Sequence, residues 1–94
     1  MAFEWSDAWV LTAAVYAGEP KTRAALVAAG DYVNHAILTK AELDGGLRRL
    51  VAAGYLERVR RGVYALAPAG TVLAGRSVHK TLARVEAELG VSPA

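Results

Sequence analysis

The first apolar segment of the chain predicts a helix over about residues 7–17. Ser6 and Asp7 are both good N-caps, and they precede a run that is apolar on nearly every side. Gly18 and Pro20 then supply a helix stop. A helix with apolar residues all round is typical of the centre of a core, so we expect the other elements to pack around this one.

A second, shorter helix is predicted over about residues 22–29. Thr22 begins it, Gly30 ends it, and Leu26 faces inward. Residues 31–38 follow without a clear hydrophobic period. We therefore expect an ordered connection there, with at most one helical turn.

The third apolar pattern predicts a helix over about residues 39–53. Thr39 and Glu42 fit a capping box, in which each side chain accepts a hydrogen bond from an otherwise unpaired backbone N–H. Gly54 provides a left-handed stop. One apolar stripe follows the helix and consists of Leu43, Leu47, Leu50 and Val51. The pair Gly45–Gly46 costs this helix about 1 kcal/mol per glycine relative to alanine, so capping and burial have to sustain it.

Beyond the third helix the pattern changes to two short strands and a last helix. Residues 55–67 are partly β-branched or aromatic and are joined through Arg61-Gly62, which predicts a β-hairpin. We place Arg58 and Arg60 on one face of it, because side chains alternate along a strand. A final helix is predicted over about residues 71–88.

Composition places the chain among single globular domains. It has 94 residues, of which 54% are hydrophobic and 21% charged, so we expect one domain over residues 1–94. The absence of cysteine excludes disulfides and thiolate metal sites, and it suits a reducing compartment. The N-terminus lacks the pattern of a secretory signal, and no apolar run approaches the roughly 20 residues of a membrane span. We therefore expect a cytoplasmic protein with no membrane contact.

Charge is distributed unevenly, although the formal net charge is only +2. Residues 1–47 hold three Lys or Arg against six Asp or Glu, a balance of −3, whereas residues 48–94 hold eight against three, a balance of +5. Five cations of the second half lie between Arg48 and Arg61. We expect an acidic partner to meet that segment.

The sequence contains no recognisable catalytic or metal-binding motif. His35 and His79 are far apart and have no metal-ligand spacing, so we expect no metal. No nucleophile has a base at a recognisable spacing, and there is no glycine-rich phosphate loop. These observations favour a protein that is not an enzyme and has no cofactor.

The order of elements, three helices followed by a hairpin and a further helix, is that of a winged helix-turn-helix domain. The segment LRRLVAAGYLERVRRGVYALAPAG, residues 47–70, resembles bacterial regulators of the MarR and PadR type in its leucine-spaced third helix, glycine stop, wing and L-x-P-x-G exit. This resemblance, mainly over residues 39–70, implies a mainly α fold with a small β-hairpin: a three-helix core, a two-stranded wing and a C-terminal helix. It also implies a cytoplasmic, usually dimeric transcriptional regulator that binds double-stranded DNA with helix three in the major groove.

Basic side chains are the candidates for DNA contact. A charged hairpin tip can hold phosphates or enter a minor groove, although the same charge can simply keep a solvated strand edge from pairing. The wing supplies three candidates and helix three adds two more, whereas the remaining three lie near helix starts. The full set is Arg48, Arg49, Arg58, Arg60, Arg61, Lys21, Arg23 and Lys40.

A protein partner, without DNA binding, is the alternative, and helix three carries the argument for it. With the leucine stripe inward, a rotation of about 100° per residue places Gly45 near the centre of the outward face, beside Ala41 and Ala52. Small residues let another backbone approach closely, so this face is either a protein-contact surface or a solvated turn. Glu42 and Asp44 on the same helix have the wrong sign for phosphate.

The last predicted helix carries an apolar stripe that has two possible partners. The stripe consists of Val78, Leu82, Val85 and Leu89. As a dimer seam it would supply the twofold symmetry that palindromic DNA sites require. It can equally fold back on helix one, because a small chain needs all of its core. We take the dimer seam as the first expectation and the second as its alternative.

Overall fold

The computed structural model describes residues 2–93. Its helices are α1 (Trp5–Tyr16), α2 (Arg23–Asn34), α3 (Lys40–Ala52), α4 (Pro68–Thr71) and α5 (Val78–Leu89). Its strands are β1 (Lys21–Thr22), β2 (Leu56–Arg60) and β3 (Val63–Leu66), which form one antiparallel sheet in the order β1-β3-β2. The expected fold class is confirmed, because the chain is mainly α-helical with a small hairpin and is compatible with a winged-helix regulator domain.

α1 lies at the centre of the core, as its apolar pattern predicted. Ala8 and Leu11 are fully buried, and α2, α3 and α5 all pack around the helix. The predicted N-caps are wrong, because the helix begins earlier, at Trp5, with Glu4 as its N-cap. Asp7 lies instead in the first turn, where its Oδ2 accepts a hydrogen bond from the backbone N–H of Glu4 at 2.8 Å.

α2 continues past Gly30, where the sequence predicted its end. Gly30 is a packing position inside the helix. The indole Nε1 of Trp9 donates a hydrogen bond to its carbonyl oxygen at 2.8 Å, and a Cβ there would lie 2.8 Å from Leu38. The helix ends where His35 adopts a left-handed conformation with φ 52°. The connection to α3 is therefore limited to residues 35–39.

α3 begins with the capping box predicted at Thr39 and Glu42. The Thr39 hydroxyl accepts a hydrogen bond from the Glu42 N–H at 3.1 Å, and Glu42 Oε1 accepts one from the Thr39 N–H at 2.9 Å. Farther along, the helix passes so close to α1 that a Cβ at Gly46 would lie 2.9 Å from Val10 Cγ2. After the helix, Gly54 has φ 86°, the predicted left-handed stop.

The wing is a hairpin extended by a third strand that the sequence did not predict. β1 has only two residues and pairs Lys21 with Tyr64. A bulge interrupts β2, because Arg58 lies opposite Tyr64 whereas Arg60 lies opposite Val63. Val63 and Tyr64 are consecutive and point to opposite faces of the sheet. Since cross-strand partners share a face, Arg58 and Arg60 also point to opposite faces, and the expectation of a shared face is wrong.

The C-terminal helix expected over residues 71–88 begins later, at Val78, and a separate short helix, α4, precedes it. Pro68 starts α4, as its fixed φ allows at a first helical position. Ser77 starts the second, with its hydroxyl accepting a hydrogen bond from the backbone N–H of Lys80 at 3.2 Å. α5 then ends at Gly90, whose φ is 71°.

Three of the four residues in the apolar stripe of α5 pack inside the chain. Val85 is fully buried, Leu89 is 7% exposed, and Leu82 is partly buried against the core. The dimer seam expected from Val78, Leu82, Val85 and Leu89 is therefore wrong for this stripe. α5 packs on α1, as the alternative expectation held, because a domain of this size needs these side chains for its own core.

We expect Gly46→Ala to destabilise the protein although it improves helix propensity. The propensity gain is about 1 kcal/mol, whereas forcing a methyl group into a packed contact costs about 1 to 3 kcal/mol, so a net loss of about 1 kcal/mol is expected. Urea denaturation measures this change in the free energy of unfolding. Gly18→Ala is the control for steric crowding, because no heavy atom beyond its two chain neighbours lies within 4 Å of a Cβ there.

Val10 provides the second part of that test. If the clash with Val10 causes the loss, Val10→Ala should cost less stability in the Gly46→Ala background than in the wild type. Strictly additive effects would show that Gly46 is not constrained by the α1 contact.

Candidate nucleic-acid interface

α3 and the hairpin border a groove on the surface of the protein. Its volume is about 340 Å³. The residues that line it are Asp44, Leu47, Arg48, Val51, Ala52, Arg58 and Tyr64. The groove thus has an apolar floor and charged groups beside it, and it lies between the two elements that the sequence singled out for DNA contact.

Arg48 from α3 and Arg58 from β2 both border this groove. Both side chains are exposed, and neither forms an ion pair within residues 2–93. Each guanidinium therefore has its N–H donors available to an outside partner. The fold brings together two candidates that the sequence assigned to different elements.

Arg60 and Arg61 lie at the tip of the hairpin. Gly62 follows them with φ 75°, a left-handed conformation that turns the chain from β2 into β3. Both arginines are exposed, and neither is ion-paired in the part of the chain that the structure describes. Together with Arg48 and Arg58 they form what we call the arginine cluster.

Arg49 is directed into the protein. Its Nε donates a hydrogen bond to Asp7 Oδ2 at 2.8 Å and its Nη2 donates one to Asp7 Oδ1 at 2.9 Å, so it pairs at two points with a fully buried carboxylate. Nη2 also lies 2.9 Å from Glu4 Oε2. The hydrogen bonds to Asp7 raise the pKa of Arg49 above its ordinary value. The expectation that Arg49 extends the DNA-contact patch is therefore wrong.

Gly45, which the sequence placed at the centre of the outward face of α3, is covered in the structure. The guanidinium of Arg49 lies across it, and a Cβ at Gly45 would be 2.9 Å from Nη2. Gly45 is therefore buried, whereas Ala41 and Ala52 are exposed. The expectation of a continuous small face centred on Gly45 is wrong. A large residue there would displace Arg49 from Asp7, so such a substitution would change stability as well as the surface.

Lys21 is also unavailable to an outside partner. It is 6% exposed, and its Nζ donates a hydrogen bond to the carbonyl oxygen of Ala17 at 2.9 Å. The same Nζ lies 3.0 Å from Glu19 Oε1. Lys21 therefore neutralises the C-terminal end of α1, where a cation is favourable, and its selection as a DNA contact is wrong.

Arg23 and Lys40 share one carboxylate, that of Asp44. Arg23 Nη1 binds Oδ1, and Lys40 Nζ binds Oδ2, which links the start of α2 to α3. The hydrogen bonds from Lys40 and then from Arg23 hold the pKa of Asp44 below its ordinary value. The side chains of Arg23 and Lys40 are 42% and 85% exposed, so both cations stay within reach of an anion that competes with Asp44.

Tyr55 holds the base of the wing against the C-terminal helix. Its hydroxyl donates a hydrogen bond to Glu88 Oε2 at 2.7 Å. Phe3 packs edge-on against its ring, with the ring centroids 6.2 Å apart. The hydrogen bond to Glu88 raises the pKa of Tyr55 above its ordinary value of 10.0. The base of the wing is thus fixed while its tip lies in solvent.

Asp7 and Asp44 bind Arg49, Arg23 and Lys40, and the sequence predicted this role for neither carboxylate. Lys40 and Asp44 are four residues apart on one helix, and this i,i+4 spacing is visible in the sequence and indicates that the two side chains can pair. Asp7 and Arg49 are 42 residues apart, so only tertiary packing brings them together.

Comparison with known families gives one match. Residues 22–67 match the sequence model of a family described as "Transcriptional regulator, AbiEi antitoxin". The matched segment is just under half of the chain, runs from the start of α2 to the end of the hairpin, and contains every cationic candidate except Lys21. The match supports a DNA-binding regulator in general. Neither the curated proteins nor the solved structures gave a match.

Two further features concern membrane-spanning helices and metal-binding side chains. Among residues 2–93, no helix has both the length and the apolar character to cross a membrane. Over the same residues, no three His, Cys, Asp or Glu side chains are grouped so as to hold a metal ion. The matched family is described by regulation, not by catalysis.

We expect Arg49→Ala and Arg48→Ala to differ sharply in stability. Loss of Arg49 leaves the buried carboxylate of Asp7 without its partner, which costs about 3 kcal/mol or more. Arg48 is exposed and unpaired within the described residues, so its loss should stay within about 0.5 kcal/mol. Urea denaturation of both variants measures the difference, and equal costs would contradict the assignment of Arg49 as the internal arginine.

We expect Glu88→Ala to lower the pKa of Tyr55 towards 10. The folded pKa is raised, so the hydrogen bond contributes stability that is fully present below pH 10 and is lost as pH rises through the folded value. Ultraviolet titration of the tyrosines detects the change. Glu57→Ala, which removes another carboxylate near the same tyrosine in sequence, should leave the titration unaltered, and an unaltered titration in Glu88→Ala would exclude this hydrogen bond.

Proposed function

We propose that this protein is a bacterial winged-helix transcriptional regulator that binds double-stranded DNA through the arginine cluster. The observation that carries the proposal is that Arg48 on α3 and Arg58, Arg60 and Arg61 on the hairpin are all exposed and without ion pairs in the described residues. The match of residues 22–67 to a family of transcriptional regulators supports it. DNA lies in the bacterial cytoplasm, which is where the proposal places the protein.

The groove between α3 and the wing suits a sugar-phosphate chain. With α3 against the major groove, a DNA strand beside this groove would run between α3 and the wing. Arg48 and Arg58 border that path and are placed to bind phosphates. Arg60 and Arg61 lie farther out, where they can bind the next phosphates or enter the minor groove.

α3 offers few groups for reading bases. Arg49 is engaged by Asp7, so Arg48 is the arginine of this helix that can reach a guanine edge. The exposed methyl groups of Ala41 and Ala52 suit contact with thymine methyl groups. We therefore expect the phosphate contacts of the arginine cluster to supply most of the affinity.

The structure offers less support than the sequence for the alternative function, binding of a protein partner through α3. Its central residue, Gly45, is covered by Arg49, which leaves Ala41 and Ala52 as separate small positions. No observation favours it over DNA binding. A palindromic DNA site would need a dimer, and because the α5 stripe is internal, that dimer would have to use another surface.

Salt-dependent DNA binding is the expected result that tests the proposal. If the cluster neutralises about three phosphates, the logarithm of the association constant should fall against the logarithm of the salt concentration with a slope of about −3. Fluorescence anisotropy of the protein with a labelled random duplex, from low to physiological salt, measures that slope. The Arg60→Ala, Arg61→Ala double variant should weaken binding and flatten the slope by about 2.

Arg76→Ala is the matched control for that variant. Arg76 is exposed, lies between α4 and α5, and is not ion-paired within residues 2–93, so its loss should change the slope little. An equal effect of Arg76→Ala and the wing variant would mean that the wing arginines contribute only through the overall charge of the protein. No binding by the wild type at low salt would exclude the proposal.

A further inference from the structure

Asp44 is the carboxylate in the middle of the cationic side of the protein. Its two oxygens bind Arg23 and Lys40. The same residue lines the groove that Arg48 and Arg58 border. It therefore lies between two paired cations and two unpaired cations, on the helix that the proposed function places against DNA.

Stability does not account for an acidic residue at this place. The Asp44 side chain is 33% exposed, and its partners are 42% and 85% exposed. Ion pairs so open to solvent contribute little to folding stability, because water and salt screen them. Asp44 contrasts in this respect with Asp7, whose fully buried carboxylate fixes α3 to α1.

Asp44 acts against the binding of phosphate in two ways. Its negative charge repels a phosphate that approaches the exposed side of α3, and it also occupies two cations that would otherwise bind phosphates. On DNA of arbitrary sequence this charge only lowers the binding affinity. That affinity is regained only where a base edge presents a hydrogen-bond donor to the carboxylate.

We propose that Asp44 is a specificity-determining residue, which weakens binding to arbitrary DNA and selects sites that present an exocyclic amino group, such as N4 of cytosine, in the major groove. The inference rests on the proposed function. Carboxylates accept hydrogen bonds from cytosine N4, whereas a base edge without such a donor leaves the lone pairs of Asp44 that Arg23 and Lys40 do not use desolvated and uncompensated. Arg23 and Lys40 hold the Asp44 side chain at the α2–α3 junction, so its position on α3 is defined before DNA arrives.

The first experiment compares Asp44→Asn with the wild type on the labelled random duplex over the same salt range. Asparagine keeps the shape of the side chain but removes its charge, and it frees Arg23 and Lys40. We expect affinity at low salt to rise on the order of tenfold, and the slope to steepen from about −3 to about −5, because two more cations bind phosphates.

Asp31→Asn is the matched control, because it removes the same charge from an exposed position on α2. Asp31 lies eight residues after Arg23, about 12 Å along the helix, which exceeds the screening length of about 8 Å at physiological salt. It should leave both affinity and slope nearly unchanged. Equal gains from Asp31→Asn and Asp44→Asn would mean that overall charge alone is responsible, and they would overturn the inference.

The second experiment is a selection of binding sequences from duplexes with a randomised centre. The wild type should enrich cytosine at one position, and Asp44→Asn should lose that preference there, with adenine favoured because asparagine pairs with adenine. Preferences at other positions should persist. An unchanged cytosine preference in the variant, or no cytosine preference in the wild type, would overturn the selective role.

The outcomes separate this inference from the proposed function. Wild-type binding that Asp44→Asn leaves unchanged or weakens would overturn the inference and leave the arginine cluster in place. Binding by Asp44→Asn that exceeds the wild type and is lost with Arg60→Ala and Arg61→Ala would support both. No binding by either protein at low salt would overturn both.

Discussion

The ion pair between Arg49 and the buried carboxylate of Asp7 fixes α3 on α1, and the surface of α3 depends on it. Asp7 is fully buried and receives two hydrogen bonds from the guanidinium, so the pair has little freedom. The two adjacent glycines make this arrangement possible. Gly46 lets α3 come into contact with Val10 of α1. Gly45 leaves room for the side chain of Arg49 to lie across α3. Their cost in helix propensity is thus offset inside the molecule.

Two consecutive arginines consequently have opposite tasks. A rotation of about 100° separates Arg48 from Arg49, and that rotation is enough to place one side chain against α1 and the other beside the wing. Because Arg49 serves the core, α3 presents one arginine, Arg48, and small side chains to the outside. The wing has to supply the remaining positive charge, and the bulge distributes its arginines over both faces of the hairpin.

Local signals in the sequence predicted most of the fold, whereas nonlocal contacts determined which site residues are free. The capping box at Thr39 and the stop at Gly54 act within a few residues and are present as predicted. Gly30 shows the limit, because it resembles a helix end but accepts a hydrogen bond from Trp9, 21 residues away. The burial of Lys21 depends likewise on the path of the chain after α1, which residue type and spacing do not encode.

The uneven distribution of charge along the sequence is also seen in the ion pairs of the folded protein. Every ion pair among residues 2–93 takes its carboxylate from the acidic first half, from Glu4, Asp7, Glu19 and Asp44. Those carboxylates neutralise all three cations of the first half but only Arg49 of the second half. The excess positive charge of the second half is therefore left in solvent, with its densest part on the wing and on Arg48 beside it. The net charge of +2 thus averages a first half in which every Lys and Arg is ion-paired and a second half in which only Arg49 is, among residues 2–93.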